Sequence, residues 1–379
     1  MSPKKIFIVA GESSGDARAA EVIRCLQQSA HSLTFEGLGG QQMASCGVNI
    51  LYDLPSIAAV GFTDVIKKYP LFRKIFYTAL KKIKETRPDV VILVDYPGFN
   101  LRLAKEIKKL NIPVIYYISP QIWAWASWRK RKIAEYVNKM LVILPFEVDF
   151  YDGTSLPVEF VGHPLIETFV PSDSPELIRK EFHIENAYPI ITLLSGSREA
   201  EVKKILPIMV KTAELITKEY PTIHFLISKA PDLPSSLYEK ILAKNGIPYS
   251  LVTRNIHDLI TAAHFCWVAS GTATLEAALG LKPFIILYKA SWLTYILAKH
   301  LIMIPYIGLV NIIAGKKIIP EFLQNDAHPE TIAHETKFIL NNPQSRATIV
   351  RHLEEVRKKL GPAGAARRAA KAILNFLEK

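Results

Sequence analysis

Short apolar runs alternate with amphipathic stretches of helical period along most of the chain. In the first half, apolar runs occupy residues 7–10, 90–94, 114–118 and 141–144, and helical patterns occupy 17–28, 101–110 and 129–136. In the second half, strand-like runs occupy 190–194, 224–227, 250–252, 266–269 and 283–287, with helical patterns between them. Apolar strands that alternate with helices are typical of a parallel sheet covered by helices on both faces. The pattern therefore predicts an α/β protein.

Domain organisation follows from the chain length and from one turn-rich segment. The chain of 379 residues is longer than one typical core requires, and the Pro, Ser and Asp residues of 170–175 interrupt the alternation. We expect an N-terminal Rossmann-like domain over residues 1–170 and a C-terminal Rossmann-like domain over 171–345, facing each other across a cleft. After Pro329 only helical patterns remain, and we expect the helices of residues 346–379 to pack back onto the first domain.

The composition is that of a folded protein in a reducing compartment. Apolar residues make up 49% of the chain and charged residues 22%, which disfavours a disordered protein. Cys25, Cys46 and Cys266 are far apart, so neither a disulfide framework nor a zinc site is indicated. The N-terminus lacks the pattern of a secretory signal, and no apolar stretch reaches the roughly 20 residues of a spanning helix. We therefore expect a cytoplasmic protein without a transmembrane helix.

The formal net charge of +12 favours an anionic partner, whether nucleic acid, a membrane surface or an acidic substrate. Between residues 64 and 84, apolar and basic positions separate at helical spacing. The apolar set is Tyr69, Phe72, Phe76, Ala79 and Ile83, and the basic set is Lys67, Lys68, Arg73, Lys74, Lys81, Lys82 and Lys84. Such a helix can lie on an anionic bilayer. The alternative is a helix that faces the core and leaves its basic side in water.

The first strand runs into a loop of small residues and then into a helix. The loop reads Gly11, Glu12, Ser13, Ser14, Gly15 and Asp16. Its glycines let backbone N–H groups approach a ligand closely, and the N-terminus of the helix favours an anion. The loop is neither G-x-G-x-x-G nor a P-loop, so neither NAD nor ATP is favoured, but Glu12 can bond sugar hydroxyls. The alternative is a tight turn in which Asp16 caps the helix.

A lone carboxylate, Asp95, follows the apolar strand at residues 90–94. Open α/β sheets bind ligands at the carboxyl ends of their strands, and partial burial raises the pKa of a carboxyl group toward that of a general base. Asp95 is therefore a candidate base for a hydroxyl group. In the alternative interpretation it caps the turn that follows.

A second strand, loop and helix junction reads Ser195, Gly196, Ser197 and Arg198, with Glu201 following. Arg198 adds a guanidinium group to a loop that already favours an anion. Loop and guanidinium together can hold a diphosphate and stabilise it as a leaving group. The alternative is that Ser197 caps the helix and Arg198 pairs with a surface acid.

A third junction of the same kind follows the strand at residues 266–269. Ser270, Gly271 and Thr272 can donate to phosphate, and Glu276 lies about one turn into the next helix, within reach of a ribose diol. Alternatively, Glu276 only complements the helix dipole. Two anion loops and a sugar-binding carboxylate in one domain suggest a site for a nucleotide diphosphate-sugar.

Other polar motifs are less informative. The histidines have no metal-ligand spacing, so neither a metal nor another cofactor is expected, and His163 is expected to be structural. Trp123, Trp125 and Trp128 precede a basic run and can stack on bases or on a sugar ring. More often such a cluster packs in a core.

Eight segments of the chain, in order and spacing, resemble the lipid-A-disaccharide synthase family over nearly the whole length. They are Gly11-Glu-Ser-Ser-Gly-Asp16, Asp95-Tyr-Pro-Gly-Phe-Asn100, Ser119-Pro-Gln-Ile-Trp-Ala-Trp125, Leu144-Pro-Phe-Glu147, Val161-Gly-His-Pro164, Gly196-Ser-Arg-Glu-Ala-Glu201, Ala269-Ser-Gly-Thr-Ala-Thr-Leu-Glu276 and Asn311-Ile-Ile-Ala-Gly315.

The resemblance implies an inverting, metal-independent glycosyltransferase of the GT-B fold. Its reaction moves 2,3-diacylglucosamine from a UDP derivative to the 6-hydroxyl of 2,3-diacylglucosamine 1-phosphate, giving a β-1,6 disaccharide and UDP on the pathway to lipid A. The resemblance also implies that Asp95 is the general base and that Arg198 is needed for activity. It places Glu276 and Asn311 in the nucleotide-binding region and Glu12 in the cleft.

Two positions depart from the family pattern. Ser195 stands where the family often has Pro, and Gly98 stands where many members have a second Asp. The first adds a hydrogen-bond donor, and the second disfavours a mechanism that needs two acids at that loop.

The acylated substrates imply peripheral contact with an anionic membrane, at the cytoplasmic face of the inner membrane, and no nucleic-acid partner. A homodimer is left open. One alternative is a UDP-sugar 2-epimerase of the same architecture, which needs no acyl chains. Another is an RNA-binding protein, suggested by the basic charge and the tryptophans, but it would leave the anion loops unused.

Overall fold

The computed structural model describes residues 3–29, 32–58, 62–243, 245–290 and 304–378, and of residues 58 and 62–68 it describes the backbone only. The chain forms two compact units. Unit 1 comprises Met1–Pro164 and Leu360–Lys379, and unit 2 comprises Leu165–Lys359. Each unit has its own parallel sheet flanked by helices, which confirms the α/β fold class expected from the alternating pattern.

Unit 1 is built from alternating strands and helices. Its strands are β1 (Lys4–Ala10), β2 (Leu33–Gly39), β3 (Asn49–Asp53), β4 (Val90–Val94), β5 (Val114–Tyr117), β6 (Lys139–Val142) and β7 (Val158–Phe160). Its helices up to Pro164 are α1 (Ser13–Ser29), α2 (Gln41–Ser45), α3 (Leu54–Ala58), α4 (Phe62–Thr86), α5 (Pro97–Lys108), α6 (Lys130–Tyr136) and α7 (Glu147–Phe150). Short 3₁₀ turns at Ile122–Ala124 and Ser127–Arg129 precede α6.

The strand order in unit 1 places two of the predicted site segments side by side. The order is β3-β2-β1-β4-β5-β6-β7, and all neighbours pair in parallel. The direction of winding reverses between β1 and β4, where Ala10 pairs with Val94. Gly11 and Asp95 therefore leave the same edge of the sheet from adjacent strands. In open α/β sheets such a switch point forms a crevice that binds ligands.

Both faces of this sheet are covered. Successive side chains of a strand point to opposite faces, so Ile6 and Ile8 of β1 pack on the side of α1, while Phe7 and Val9 pack on the side of α4 and α5. A strand buried on both faces needs apolar residues at every position, which explains the unbroken apolar runs of β1 and β4.

The basic amphipathic helix of the sequence is α4. Ala79 and Ile83 are fully buried, and Phe72 and Phe76 pack against the same core cluster. Tyr69, which follows the same spacing, is 57% exposed. The side chains of Lys67 and Lys68 lie outside the described residues. The α4 helix thus faces the core over its C-terminal part and presents an aromatic side chain to solvent near its start.

The last helix belongs to unit 1. After unit 2, the helix Ala365–Leu377 packs its alanines against α1. The connection before it is fixed by the His163 N–H, which donates to Leu360 O at 2.8 Å, and by Arg368 Nε, which donates to Val161 O at 2.8 Å. Small side chains allow two helices to approach closely, so an Ala-rich helix suits this position.

Unit 2 repeats the plan. Its strands are β8 (Ile190–Leu194), β9 (His224–Ser228), β10 (Tyr249–Val252), β11 (Phe265–Ala269), β12 (Phe284–Tyr288) and β13 (Glu321–Leu323). Its described helices are α8 (Leu165–Thr168), α9 (Pro175–Glu181), α10 (Glu199–Thr217), α11 (Ser235–Leu242), α12 (Ile256–Ala262), α13 (Ala273–Leu279), α14 (Leu309–Ala314), α15 (Pro329–Asn341) and α16 (Pro343–Lys359); the returning helix of unit 1 is α17.

The sheet of unit 2 has a switch point at the equivalent place. Its order is β10-β9-β8-β11-β12-β13, with parallel pairing throughout. Winding reverses between β8 and β11, where Leu194 pairs with Val268. The loops that begin at Ser195 and Ser270 therefore leave adjacent strands at the same edge.

Two details differ from the sequence prediction. Of the helices after residue 345, only α17 joins unit 1, because α16 packs within unit 2 on α13 and α14. The chain accordingly passes back to unit 1 at Leu360, and it enters unit 2 at Leu165. Among the described residues, no helix combines the length and apolar character needed to cross a membrane.

Candidate active site

Asp95 is held in an unusual backbone conformation at the end of β4. Asp95 and the following Tyr96 both have a φ of +47°, in the left-handed region that non-glycine residues rarely adopt. The Asp95 N–H donates to Tyr117 O at 2.9 Å. Its carbonyl oxygen accepts from Asn100 Nδ2 at 2.8 Å and from the Tyr116 hydroxyl. These bonds fix the backbone, so the turn is fixed by tertiary contacts and not by residue type.

The carboxyl group of Asp95 is poised to exchange a proton near neutral pH. Burial is the main cause that raises its pKa from 3.8 to about 6, and the negative charge of Glu12 adds to the effect. The backbone N–H of Tyr96 opposes both by donating to the carboxylate. Glu12 itself is exposed. The structure thus brings Glu12 and Asp95 into one electrostatic site, and a pKa near 6 suits a general base.

The first loop packs against Tyr96, the residue that follows Asp95. A Cβ atom on Gly11 would lie 2.1 Å from Tyr96 Cδ1, whereas one on Gly15 would meet only ordinary contacts, the nearest at 3.7 Å. Gly11 is therefore needed because the Tyr96 ring lies against it. Ser13, Ser14 and Gly15 form the first turn of α1, with both serines exposed.

Asp16 has a different task from the one considered in the sequence. It lies inside α1, and its carboxylate accepts from the N–H groups of Gly40, Gln42 and Met43 at 2.7, 2.9 and 3.2 Å. It therefore caps the start of α2 and not its own helix, because the β1–α1 loop places it opposite the end of β2.

A second buried acid of unit 1 interacts electrostatically with Asp95. Glu147 is buried and accepts from Trp123 Nε1 and from Leu144 N, each at 3.1 Å. Burial raises its pKa to about 7, and the charge of Asp95 contributes in the same direction. The sequence signal was the acid in Leu144-Pro-Phe-Glu147, which no spacing connects to Asp95. In the folded chain, however, the negative charge of Asp95 helps to raise the pKa of Glu147.

The predicted residues of unit 2, with the exception of Asn311, line one pocket of about 600 Å³ at the carboxyl ends of its strands. Its lining residues include Ser195, Gly196, Ser197, Arg198, Glu201, Ser228, Lys229, Arg254, Asn255, His257, Ser270, Gly271, Thr272 and Glu276. The two small-residue loops, which are some 70 residues apart in sequence, thus form one site because β8 and β11 are neighbours.

The loop before α10 binds a carboxylate of the chain itself, that of Glu201. Glu201 Oε2 accepts from the N–H groups of Ser197 and Arg198 at 3.2 and 3.4 Å. Arg198 Nη1 lies 3.5 Å from Glu201 Oε1, and the Arg198 side chain is 83% exposed. Gly196 has a φ of +112°, and a Cβ there would lie 2.5 Å from Glu201 Oε2. Two of the N–H groups expected to face a ligand are therefore occupied by Glu201, while the guanidinium remains accessible.

Ser195 is buried beneath this loop. Its residue exposure is 1%, and its hydroxyl has no hydrogen-bond partner among the described residues. A buried polar group without a partner is uncommon. The Ser195 hydroxyl, at the wall of the pocket, is therefore a hydrogen-bond donor without an acceptor among the described residues.

Three further pocket residues were not predicted. Arg254 pairs with Asp173, Glu181 and Asp258, so its charge is committed to neighbours within unit 2. Lys229 Nζ donates to Leu233 O at 2.9 Å. His257 Nε2 lies 3.2 Å from Glu276 Oε1. No motif marks these residues, because their place in the site comes from the ends of β9 and β10 converging on the same edge.

One predicted residue is not brought to the pocket. Asn311 is fully buried in α14, where its Oδ1 accepts from the N–H groups of Ile318 and Ile319 at 2.9 Å. Its Nδ2 donates to Ile319 O at 2.8 Å and to Glu321 Oε1 at 2.7 Å. The side chain thus fixes the connection from α14 to β13.

Comparison with known proteins identifies the family. A family model of lipid-A-disaccharide synthetase matches residues 6–376. The chain is 40% identical over 380 residues to the lipid-A-disaccharide synthase of Syntrophus aciditrophicus, covering 100% of this chain and 99% of the relative. It is 38% identical over 377 residues to the enzyme of that name from Coxiella burnetii strain CbuG_Q212, covering 100% of both.

Solved structures share the fold at low identity. The Staphylococcus aureus protein MnaA, solved with UDP, has a TM-score of 0.66 at 13% identity, covering 99% of this chain and 97% of that one. The glycotransferase of kitacinnamycin has a TM-score of 0.62 at 15% identity, covering 98% and 99%. These likenesses show the fold alone and confirm the expected GT-B class. With the family match and the full-length relatives, they lead to one conclusion: the chain is a glycosyltransferase that belongs to the lipid-A-disaccharide synthetase family.

Proposed function

We propose that this chain transfers 2,3-diacylglucosamine from its UDP derivative to the 6-hydroxyl of 2,3-diacylglucosamine 1-phosphate, with inversion and without a metal. One observation carries the proposal. A buried carboxylate with a pKa of about 6 lies at the switch point of unit 1, and a pocket with two small-residue loops and an accessible arginine lies at the switch point of unit 2. A base and an anion site are the two parts that this displacement requires.

The pocket of unit 2 is proposed to bind the UDP part of the donor. Arg198 and the loops at Ser195 and Ser270 would hold the diphosphate, with the Ser195 hydroxyl as an added donor. Glu276 would accept from the ribose hydroxyls. The MnaA protein, which shares this fold, was solved with UDP, and this supports a uridine nucleotide as ligand by analogy of fold. A diphosphate must compete with Glu201 for the N–H groups of Ser197 and Arg198.

Asp95 is proposed to activate the acceptor. Its carboxylate removes the proton of the 6-hydroxyl as that oxygen attacks the anomeric carbon. The bond from the anomeric carbon to the diphosphate oxygen breaks, and its electron pair leaves with UDP, whose charge Arg198 stabilises. One displacement converts the α-linked donor to a β-linked product.

The acyl chains and the membrane are proposed to meet the middle of α4. A groove of about 480 Å³ is lined by Tyr69, Phe72, Arg73, Phe76, Tyr77, Tyr96, Gly98, Phe99 and Arg102. Tyr69 and Tyr77 are 57% and 55% exposed, and exposed aromatic residues beside arginines suit the interface of an anionic bilayer. Tyr96 connects this groove to Asp95. The enzyme would then work at the cytoplasmic face of the inner membrane.

A direct assay tests the proposal. Purified protein is incubated with UDP-2,3-diacylglucosamine and 2,3-diacylglucosamine 1-phosphate, with and without EDTA, and the lipid product is identified by mass spectrometry. We expect the disaccharide phosphate and UDP at equal rates in both conditions. Absence of disaccharide, while a synthase from a relative forms it under the same conditions, would refute the proposal. Turnover of unacylated UDP-N-acetylglucosamine to its 2-epimer would instead support the epimerase alternative, which the family match does not favour.

A further inference from the structure

His257 is the immediate neighbour of Glu276 in the pocket of unit 2. Its Nε2 lies 3.2 Å from Glu276 Oε1, and the two side chains are only 10% and 16% exposed. In the part of the chain that the structure describes, this is the one side-chain hydrogen bond of the Glu276 carboxylate. The rotamer of Glu276 therefore depends on His257 more than on any other described side chain.

The His257 ring is itself held in place. The ring of Phe169 packs on it, with centroids 4.5 Å apart. At its backbone, the His257 N–H donates to Oδ1 of Asn255, the residue that caps α12, at 3.1 Å. A ring held by an aromatic neighbour, tilted at 47° to it, and by its own backbone offers Nε2 at a constant position.

Hydrogen bonding assigns the tautomer of His257. A carboxylate only accepts hydrogen bonds, so the proton between the two groups belongs to Nε2. Nδ1 is buried and has no partner among the described residues. A proton on Nδ1 would be a buried donor without an acceptor, which is unfavourable. His257 thus donates through Nε2 to Glu276.

We propose that His257 is a positioning residue for recognition of the donor's ribose. Its Nε2–H holds Oε1 of Glu276, which leaves Oε2 to accept from the ribose diol. The inference rests on the proposed nucleotide site of unit 2 and adds to it the group that orients the ribose-binding carboxylate.

Two substitutions of similar volume separate positioning from packing. His257→Gln keeps an N–H donor near the place of Nε2, whereas His257→Leu fills the space against Phe169 without a donor. Affinities for UDP and for 2′,3′-dideoxy-UDP are measured by calorimetry for both variants, for Glu276→Ala and for the double variant His257→Leu/Glu276→Ala. Thermal melting shows that each variant is folded.

The readout is the ratio of the two affinities. We expect the wild-type chain to prefer UDP by about tenfold or more, as for hydrogen bonds to a charged group. His257→Leu should lose most of this preference and His257→Gln should keep much of it. The double variant should lose no more than Glu276→Ala, because both changes remove one coupled interaction.

Two results overturn the inference in different ways. If His257→Leu weakens both ligands equally and keeps the wild-type ratio, His257 has only a structural role and the proposed function is unaffected. If the wild-type chain binds neither ligand, the nucleotide site fails, and the proposed function fails with it.

Discussion

At the scale of single residues, Asp95 and Tyr96 show how neighbours set the chemistry of a side chain. Both have left-handed backbone angles at the end of β4. The sequence predicts a carboxylate at a strand end, but it contains no signal for the left-handed turn, since Asn100 and Tyr116 impose it through the Asp95 carbonyl. Nor could it predict Glu147, whose pKa of about 7 comes from burial.

The acid limb of the pH profile should report Asp95. As the base, Asp95 works when ionised, so kcat/KM should fall as the pH drops through about 6. Glu12→Gln removes a negative charge that raises this pKa, and the limb should move to lower pH. Because burial is the larger cause, the pKa should stay above 3.8. A full pH profile of both proteins checks this. A limb at the same pH in Glu12→Gln would contradict it.

Two glycines of the same loop should differ sharply. Gly11→Ala places a methyl group against the Tyr96 ring and should cost about 1–3 kcal/mol of stability, with loss of activity as the ring shifts. Gly15→Ala meets only ordinary contacts and lies within α1, so its stability should equal or exceed that of the wild type. Chemical denaturation of both variants measures the difference. Equal stability of the two would show that Tyr96 does not depend on Gly11.

At the scale of elements, the two switch points were within reach of the sequence, because unbroken apolar runs predict strands buried on both faces. Small residues or a lone carboxylate mark the loops after β1, β4, β8 and β11 as candidate sites without knowledge of the strand order. What the pattern could not predict is which groups occupy those loops. Glu201 takes two N–H groups of the loop before α10, since a carboxylate three residues into a helix can reach back to its start.

Glu201 should stabilise α10, and its neighbour Glu199 should not. Glu201→Ala leaves the Ser197 and Arg198 N–H groups without their acceptor and should cost about 1 kcal/mol of the free energy of unfolding. Glu199 makes an exposed pair with Lys203, so Glu199→Ala should change the stability by less than about 0.5 kcal/mol. Urea denaturation compares the two variants. Equal losses would refute the capping role of Glu201.

At the scale of the whole molecule, the chain crosses between its units twice, and the helical pattern at the C-terminus predicted the return but not where it begins. A stripe of apolar residues shows that α16 is buried on one side, but not that α13 and α14 supply the partner surface. The same limit applies to Asn311 and His257, because no residue pattern marks the partners of either side chain, which are Ile318, Ile319 and Glu321 for Asn311 and Glu276 for His257.

The central claim assigns separate tasks to the two units, with the base in unit 1 and the nucleotide site in unit 2. The most direct test compares Asp95→Asn with Arg198→Ala, measuring disaccharide formation and, by calorimetry, UDP binding. We predict that both variants lose turnover, Asp95→Asn by about 10²–10⁴-fold, and that UDP binding is preserved in Asp95→Asn and weakened in Arg198→Ala. Turnover near the wild-type rate in Asp95→Asn, or unchanged UDP affinity in Arg198→Ala, would contradict this assignment.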